Sequence, residues 1–195
     1  MDLELGGKVA IVTGGSRGIG LAVGRALTSE GAKVALVARN KAALDTAAAQ
    51  VGGQTKGFAC DTTDDAAVKR LVADVVAAFG RVDILVNCAA KPSGQARPPT
   101  LGEITTEEFW DHMNTKVMGY LRTAREVAPY MMKQGSGRIV NVSGLGAKHV
   151  GTPLGASATS AWRRSPRTWP TSWLRTASRW CVCTPGWSAP RPRPA

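Results

Sequence analysis

A glycine-rich segment near the amino terminus contains the residue types that bind phosphate groups. Residues 13–20, TGGSRGIG, follow the apolar run 9–12 and precede an alanine-rich helical pattern. Glycine allows the backbone to approach a phosphate closely, and the N–H groups at a helix N-terminus attract its negative charge. A strand, a glycine turn and a helix in this order predict a site for the pyrophosphate of a dinucleotide. The residues predicted to form this site are Gly14, Ser16, Arg17, Gly18, Ile19 and Gly20.

The end of the next apolar run indicates which dinucleotide the turn binds. An acidic residue at this point would bind the ribose 2′-hydroxyl of NAD. Ala38 occupies the position instead, and Arg39 follows it. Arg39 and Arg17 offer two guanidinium groups to a 2′-phosphate. The sequence therefore favours NADP(H) over NAD(H).

Strand and helix patterns alternate along residues 8–143, and these elements must position the site. Apolar runs predict strands at 9–12, 34–37, 56–59, 84–86 and 139–142, and helical patterns lie at 18–30, 41–51, 64–79 and 105–133. Thr105 and Glu108 have the spacing of a capping box at the start of the last helix. The alternation predicts an α/β fold whose parallel sheet carries helices on both faces and binds ligands at the carboxyl ends of its strands.

The composition of the chain changes near residue 161. Of the formal net charge of +11, seven charges lie in residues 162–195, which hold seven Arg and no Lys, Asp or Glu. Five of the six Trp and six of the eleven Pro lie there too. Because proline interrupts this stretch repeatedly, we expect no regular structure after about residue 161 and a sheet that ends at its fifth strand. Two regions result, a dinucleotide-binding domain at 1–161 and an irregular tail at 162–195.

The amino-terminal residues, the apolar runs and the cysteines indicate the cellular compartment and whether a metal site is expected. Residues 1–7 are short and acidic, and no apolar run approaches the roughly 20 residues of a membrane span. We therefore expect a cytoplasmic protein without a membrane partner. The four cysteines, which lie at positions 60, 88, 181 and 183, lack paired or metal-binding spacing. They predict reduced thiols and no metal site.

Four motifs in order resemble those of the short-chain dehydrogenase/reductases. They are TGGSRGIG at 13–20, Asp61 with Thr62 after the third strand, ILVNCAA at 84–90 and IVNVSG at 139–144, and the resemblance covers about residues 5–161. It implies a Rossmann-type doubly wound sheet in which Asp61 contacts the adenine. The family's NNAG, which supports the fourth strand beside the cofactor, is matched by Asn87 and Ala89. Cys88 and Ala90 depart from that pattern.

The resemblance also implies a reaction, hydride transfer between a nicotinamide and a carbonyl or alcohol carbon. The family's catalytic set is Asn, Ser, Tyr and Lys. Asn114 matches the Asn that supports a proton-relay water, and Ser143 matches the Ser that orients the substrate oxygen. The Tyr would stand at 155 or 156 and the Lys at 159 or 160, where this chain has Gly, Ala, Thr and Ser. Because general acid–base catalysis contributes about 10²–10⁴-fold, we expect at most residual turnover.

Two hypotheses concern the tail. Residues 162–195, back-translated and shifted by one base, permit a reading that resembles the family's next helix, sixth strand and PG turn. On this hypothesis, which we favour, the tail is the product of a frameshift. The other hypothesis treats the tail as an arm that binds single-stranded nucleic acid by stacking and phosphate contacts. Under the favoured hypothesis no specific nucleic-acid partner is expected.

The functional alternatives stay open at this point. The first is an NADP(H)-dependent oxidoreductase, impaired in this chain, that acts on a small carbonyl or alcohol compound. The second is a dinucleotide-binding relative without turnover, or a frameshifted and inactive product. The resemblance implies a homodimer or homotetramer, an expectation that the altered tail weakens.

Overall fold

The structure is a computed structural model that describes residues 3–91, 101–143 and 178–183. Six strands form one sheet: β1 (Val9–Thr13), β2 (Lys33–Ala38), β3 (Thr55–Ala59), β4 (Ile84–Asn87), β5 (Gly137–Val142) and β6 (Ser178–Cys183). Their spatial order is β3-β2-β1-β4-β5-β6, and every neighbouring pair is parallel. The predicted α/β doubly wound sheet is therefore confirmed over its first five strands.

Among the described residues, helices lie between β1 and β5 in chain order and pack against both faces of the sheet. They are α1 (Gly18–Ser29), α2 (Lys41–Val51), α3 (Asp65–Phe79), a 3₁₀ turn (Leu101–Glu103), α4 (Thr106–His112), a π-helical turn (Met113–Met118) and α5 (Gly119–Lys133). Apolar side chains of β1 and β2 point alternately into two core layers. Ile11 packs in the layer that includes residues of α3 and α5, and Val12 packs in the layer against α1 and α2. All five residues of β1 are buried, as a strand covered on both faces requires.

Local sequence accounts for the helix ends. The Asn40 side chain accepts a hydrogen bond from the Ala43 N–H at the start of α2, and Asp64 accepts from two N–H groups at the start of α3. The predicted capping box is present, since Thr105 and Glu108 bond reciprocally at the start of α4. Such caps satisfy N–H groups that have no partner inside the helix.

One predicted helix is divided in the structure. Residues 105–133 were expected to form a single helix, and the π-helical turn interrupts it between α4 and α5. A π turn is a single wide turn that often occurs at functional sites. The helical periodicity of residues 105–133 gave no signal for this turn.

The sixth strand corrects the expectation for the tail. Residues after 161 were expected to lack regular structure and the sheet to end at β5, but Ser178–Cys183 pairs with β5 in register from Gly137 to Val142. The free edge of β5 presents unpaired backbone groups that favour strand addition. The segment SRWCVC contains Trp and Val, which have high strand propensity.

No helix among the described residues is long and apolar enough to cross a membrane.

Candidate functional site

The carboxyl ends of β1 and β4 meet at the switch point of the sheet. The chain leaves β1 towards β2 on one side, whereas β4 leads towards β5 on the other. Thr13, the last residue of β1, lies opposite Asn87, the last residue of β4. A crevice forms at such a point in open parallel sheets, and ligands bind in it.

The glycine turn after β1 is packed so closely that side chains are excluded. A Cβ on Gly14 would lie 3.0 Å from the Ala89 backbone nitrogen, and Gly14 has a φ of +67°. A Cβ on Gly20 would lie 2.3 Å from the Gly14 carbonyl oxygen. The Gly15 N–H donates to the Val37 carbonyl at 3.0 Å, which ties the turn to β2. The turn therefore has no room for a side chain at Gly14 or Gly20, and α1 begins directly against it.

The amino terminus of α1 opens into the same crevice. Arg17 is the N-cap residue, and its side chain makes no capping hydrogen bond. The N–H groups of the first turn, which begins at Gly18, therefore stay available to a ligand, and the helix dipole favours an anion there. Ser16 is half-buried beside them, and Ile19 is 54% exposed. These features fit a dinucleotide pyrophosphate.

Thr13 joins the turn to the segment after β4. Its hydroxyl oxygen accepts hydrogen bonds from the N–H groups of Cys88 and Ala89, each at 3.1 Å. Thr13 is 1% exposed, so these bonds are shielded from water. The hydroxyl therefore holds Ala89 against Gly14. The sequence analysis did not single out Thr13 for this role, although the residue stands inside the quoted motif.

Asn87 is the centre of a buried polar network. Its amide nitrogen donates to the Asn141 side-chain oxygen at 2.9 Å, and its amide oxygen accepts from the Thr123 hydroxyl at 2.8 Å. Asn87, Asn141 and Thr123 are at most 2% exposed. The network joins β4, β5 and α5 below the crevice. Sequence reasoning named Asn87 but missed Asn141 and Thr123, because a polar residue in a strand or helix shows no partner in the sequence.

A second group of predicted residues lies at the same edge of the sheet, beyond β2 and β3. Ala38 pairs with Ala59, so Arg39 and Asp61 follow neighbouring strands. The Asp61 carboxylate accepts from the Thr63 N–H at 2.9 Å and from the Thr63 hydroxyl at 2.8 Å. These bonds, with a smaller contribution from the Arg39 charge, hold the pKa of Asp61 below its usual value.

Neighbouring residues set the surroundings of Asp61. Thr62 is buried, and a Cβ on Gly119 would lie 3.2 Å from the Thr62 hydroxyl oxygen, so this segment packs against the start of α5. Arg17 and Arg39 are both exposed at the carboxyl edge. Arg17 makes no ion pair with another described residue. Both guanidinium groups are therefore accessible to a bound molecule.

The predicted catalytic residues lie beyond β4 and β5. Ser143 follows the last residue of β5 directly and is 4% exposed. Asn114 is in the π-helical turn, and its backbone carbonyl accepts from an Arg122 guanidinium nitrogen at 3.4 Å. Positions 155, 156, 159 and 160, where the family's Tyr and Lys would stand, lie outside the described residues.

Three further titratable side chains, those of His112, Lys116 and Tyr120, lie in or next to the π-helical turn. The Tyr120 hydroxyl donates to the Val142 carbonyl at 3.2 Å, and burial raises the Tyr120 pKa strongly. Burial also lowers the pKa of Lys116. The His112 pKa is lowered by burial and by the nearby charges of Lys91 and Lys116.

The surroundings of two cysteines near the site raise the pKa values of their thiols. Burial raises the pKa of the Cys88 thiol to about 12, and burial with nearby carboxylates raises that of Cys60 to about 11. Both are free thiols. Among the described residues, no three His, Cys, Asp or Glu side chains gather as a metal site would require.

Comparison with known families gives a match over most of the chain. Residues 8–160 match the family model described as short chain dehydrogenase. D-threitol dehydrogenase of Mycolicibacterium smegmatis is 38% identical over 149 residues, which are 75% of this chain and 56% of that protein. The 3-oxoacyl-[acyl-carrier-protein] reductase FabG of Vibrio cholerae is 37% identical over 145 residues, 74% of this chain and 57% of that protein. The chain thus spans little more than half the length of these two relatives.

Solved structures share the fold over nearly the whole chain. NAD⁺-bound xylitol dehydrogenase has a TM-score of 0.84 and 28% identity, and the match covers 96% of this chain and 73% of the other. Actinorhodin polyketide ketoreductase with NADPH has a TM-score of 0.85 and 30% identity, and that match covers 96% and 72%. These two proteins bind different nicotinamide dinucleotides.

Proposed function

The chain belongs to the short-chain dehydrogenase family, and on that basis we propose that its described residues form the NADP(H)-binding part of an oxidoreductase. The proposed reaction exchanges a hydride with a carbonyl or alcohol carbon of a small molecule. The observation that carries the proposal is the glycine turn, where a Cβ on Gly20 would lie 2.3 Å from the Gly14 carbonyl. Such packing brings α1 against the end of β1, and its first residues, Gly18 and Ile19, are exposed at a helix N-terminus, the kind of site that binds a pyrophosphate.

Each part of the crevice has a proposed role. The first-turn N–H groups of α1 bind the pyrophosphate, and Asp61, with Thr62 beside it, contacts the adenine. Asn87 and Ala89 form the wall beside the cofactor, since Thr13 and the Asn87 network hold that wall in place. The bound nicotinamide supplies or accepts the hydride. Ser143 orients the substrate oxygen at the end of β5.

The preference for NADP(H) rests on residues at the carboxyl ends of β1 and β2. Ala38 leaves no carboxylate to bind the ribose 2′-hydroxyl or to repel a phosphate. Arg17 and Arg39 are exposed at this edge and offer guanidinium groups to a 2′-phosphate. One structural relative was solved with NAD⁺ and the other with NADPH, so the shared fold does not indicate which cofactor binds. The preference for NADP(H) is therefore argued from these residues alone.

The cofactor preference can be tested by removing one arginine at a time. Arg17→Ala and Arg39→Ala should each weaken NADPH binding about tenfold, since a hydrogen bond between charged groups contributes about 1.5–3 kcal/mol. NADH binding should stay within about twofold. Lys133→Ala is the matched control, because it removes one positive charge from the far end of α5. Equal NADPH affinity in all variants would refute the proposed 2′-phosphate site.

We propose that this chain has lost most of the family's catalytic turnover, although it still binds the cofactor. Tyr120 and Tyr130 are its two tyrosines, and both precede Ser143, so no residue matches the family's general acid. NADPH oxidation with a panel of carbonyl compounds measures what remains. Saturable NADPH binding with no turnover favours the second function, a dinucleotide-binding relative. Turnover that Ser143→Ala abolishes favours the oxidoreductase.

The frameshift proposal for the tail is tested on the coding DNA. A one-base shift within codons 155–195 should restore a reading that resembles the family's sixth strand and PG turn. If no shift restores such a reading, the tail is native sequence. Its strand β6 would then be an original part of the sheet.

A further inference from the structure

The π-helical turn lies against the segment that follows β3. A Cβ on Gly119, the first residue of α5, would lie 3.2 Å from the Thr62 hydroxyl oxygen, so the absence of a side chain allows this close approach. The Gly119 N–H donates to the backbone carbonyls of Asn114 and Lys116 inside the turn. One residue, Gly119, therefore both meets Thr62 and bonds to the Asn114 carbonyl.

Arg122 makes a second connection between the same two regions. Its Nε donates to the Asp65 carboxylate at 2.8 Å, and a terminal guanidinium nitrogen donates to the Asn114 carbonyl at 3.4 Å. Arg122 is only 9% exposed, and a buried charge requires such partners. A guanidinium group presents several donors in one rigid plane, so a single side chain holds both acceptors in a fixed arrangement.

Asp65 is connected through a short segment to Asp61, which is proposed to contact the adenine. The Asp64 N–H donates to the Asp61 carbonyl at 3.2 Å, and the Asp64 side chain caps α3, whose first residue is Asp65. The hydrogen bonds from Thr63 are the main cause of the lowered pKa of Asp61, and the charge of Arg122 makes a smaller contribution in the same direction. The Arg122 guanidinium is thus close enough to interact with Asp61 electrostatically.

We propose that Arg122 is a positioning residue, which joins the adenine side of the cofactor site to the π-helical turn that carries Asn114. The proposal rests on the proposed function, because it requires an adenine bound at Asp61 and Thr62. A ligand held there fixes the segment 61–65, and Arg122 passes that constraint to the Asn114 carbonyl. Cofactor binding thus sets the position of Asn114, one of the two predicted catalytic residues.

Arg125 offers a matched control because it shares Asp65 with Arg122. It pairs with Asp65 and with the neighbouring Glu126, and its side chain is half exposed. Within the described part of the chain, Arg125 makes no hydrogen bond to the π-helical turn. Its loss removes one positive charge and one contact to Asp65, but it leaves the bond from Arg122 to Asn114.

The test uses 2′,5′-ADP, a fragment that contains the adenine and the 2′-phosphate but no nicotinamide. The dipeptide Asn-Thr occurs once in the sequence, at 114–115, so ¹³C-carbonyl Asn combined with ¹⁵N-Thr gives one NMR signal for this peptide bond in the full chain. Saturating 2′,5′-ADP should shift that signal in the unaltered chain and in Arg125→Met. Arg122→Met should lose most of the shift, and so should Arg122→Lys, which keeps the charge without the planar donors. An undiminished shift in both Arg122 variants, or equal losses in the Arg122 and Arg125 variants, would overturn the proposal.

Hydrogen exchange supplies a readout that begins with the unaltered chain. Bound 2′,5′-ADP should slow amide exchange in residues 113–119, and unchanged exchange at saturation would overturn the proposal. Without ligand, Arg122→Lys should exchange faster in this turn than Arg125→Lys does, and equal rates would refute the link to Asn114. Failure of 2′,5′-ADP to bind in an isothermal titration would instead refute the proposed function, and the ligand-free comparison would still test Arg122.

Discussion

Replacement of Gly20 by alanine tests the packing of the dinucleotide turn. The added Cβ would lie 2.3 Å from the Gly14 carbonyl oxygen, well inside the 3.0 Å below which such contacts are essentially never found. The carbonyl or the start of α1 must therefore move by at least 0.7 Å, the difference between these two distances. Overpacking of this kind costs about 1–3 kcal/mol, whereas alanine gains about 1 kcal/mol in helix propensity over glycine. The net loss of stability is small, but the turn is displaced.

Cofactor affinity is therefore the sharper assay for this variant. Gly20→Ala should weaken NADPH binding at least tenfold, or about 1.4 kcal/mol, in a fluorescence titration. Gly24→Ala is the matched control one turn further along α1. Its Cβ would meet the Leu36 Cδ2 atom at 2.7 Å, and that flexible side chain is able to move. Unchanged affinity in Gly20→Ala, or equal losses in both variants, would refute the reasoning.

Three other predictions concern buried groups. Asn87→Leu removes the amide that donates to Asn141 and accepts from Thr123, and it should lower the free energy of unfolding by about 1–3 kcal/mol in urea titrations, with weaker NADPH binding. Asp83→Ala removes the acceptor of the Val9 N–H at the opposite edge, so stability should fall similarly while NADPH affinity holds. Cys60 and Cys88 should resist iodoacetamide at pH 8 until urea is added, as peptide mass spectrometry would show. Because burial raises the folded pKa values of these thiols above their ordinary value of 9.0, the unfolded chain ionises first and stability should decline as pH rises above 9. Rapid alkylation of both thiols in the native protein would contradict their burial.

The sequence predicted best those features that depend on residues close together in the chain. The apolar run before Gly14 predicted β1 because a strand covered on both faces is apolar throughout. The spacing of Thr105 and Glu108 predicted the capping box, since both bonds of that motif are local. The position of the glycine turn followed from the alternation of strands and helices.

Features that depend on distant contacts could not be predicted. The partners of Asn87 lie 36 and 54 positions away, at Thr123 and Asn141, and nothing near Asn87 indicates them. The π-helical turn at Met113–Met118, within the single helix that was predicted, also had no signal in the sequence. The strand at Ser178–Cys183 forms against the open edge of β5, within a segment whose composition favoured irregular structure.

A single titration of the full chain with NADPH and with NADH tests the central claim most directly. We expect saturable binding of NADPH, with NADH at least tenfold weaker because it lacks the 2′-phosphate that Arg17 and Arg39 are proposed to bind. Binding of NADH at equal or higher affinity would contradict the assignment of NADP(H). Absence of saturable binding by either compound would contradict the dinucleotide site itself.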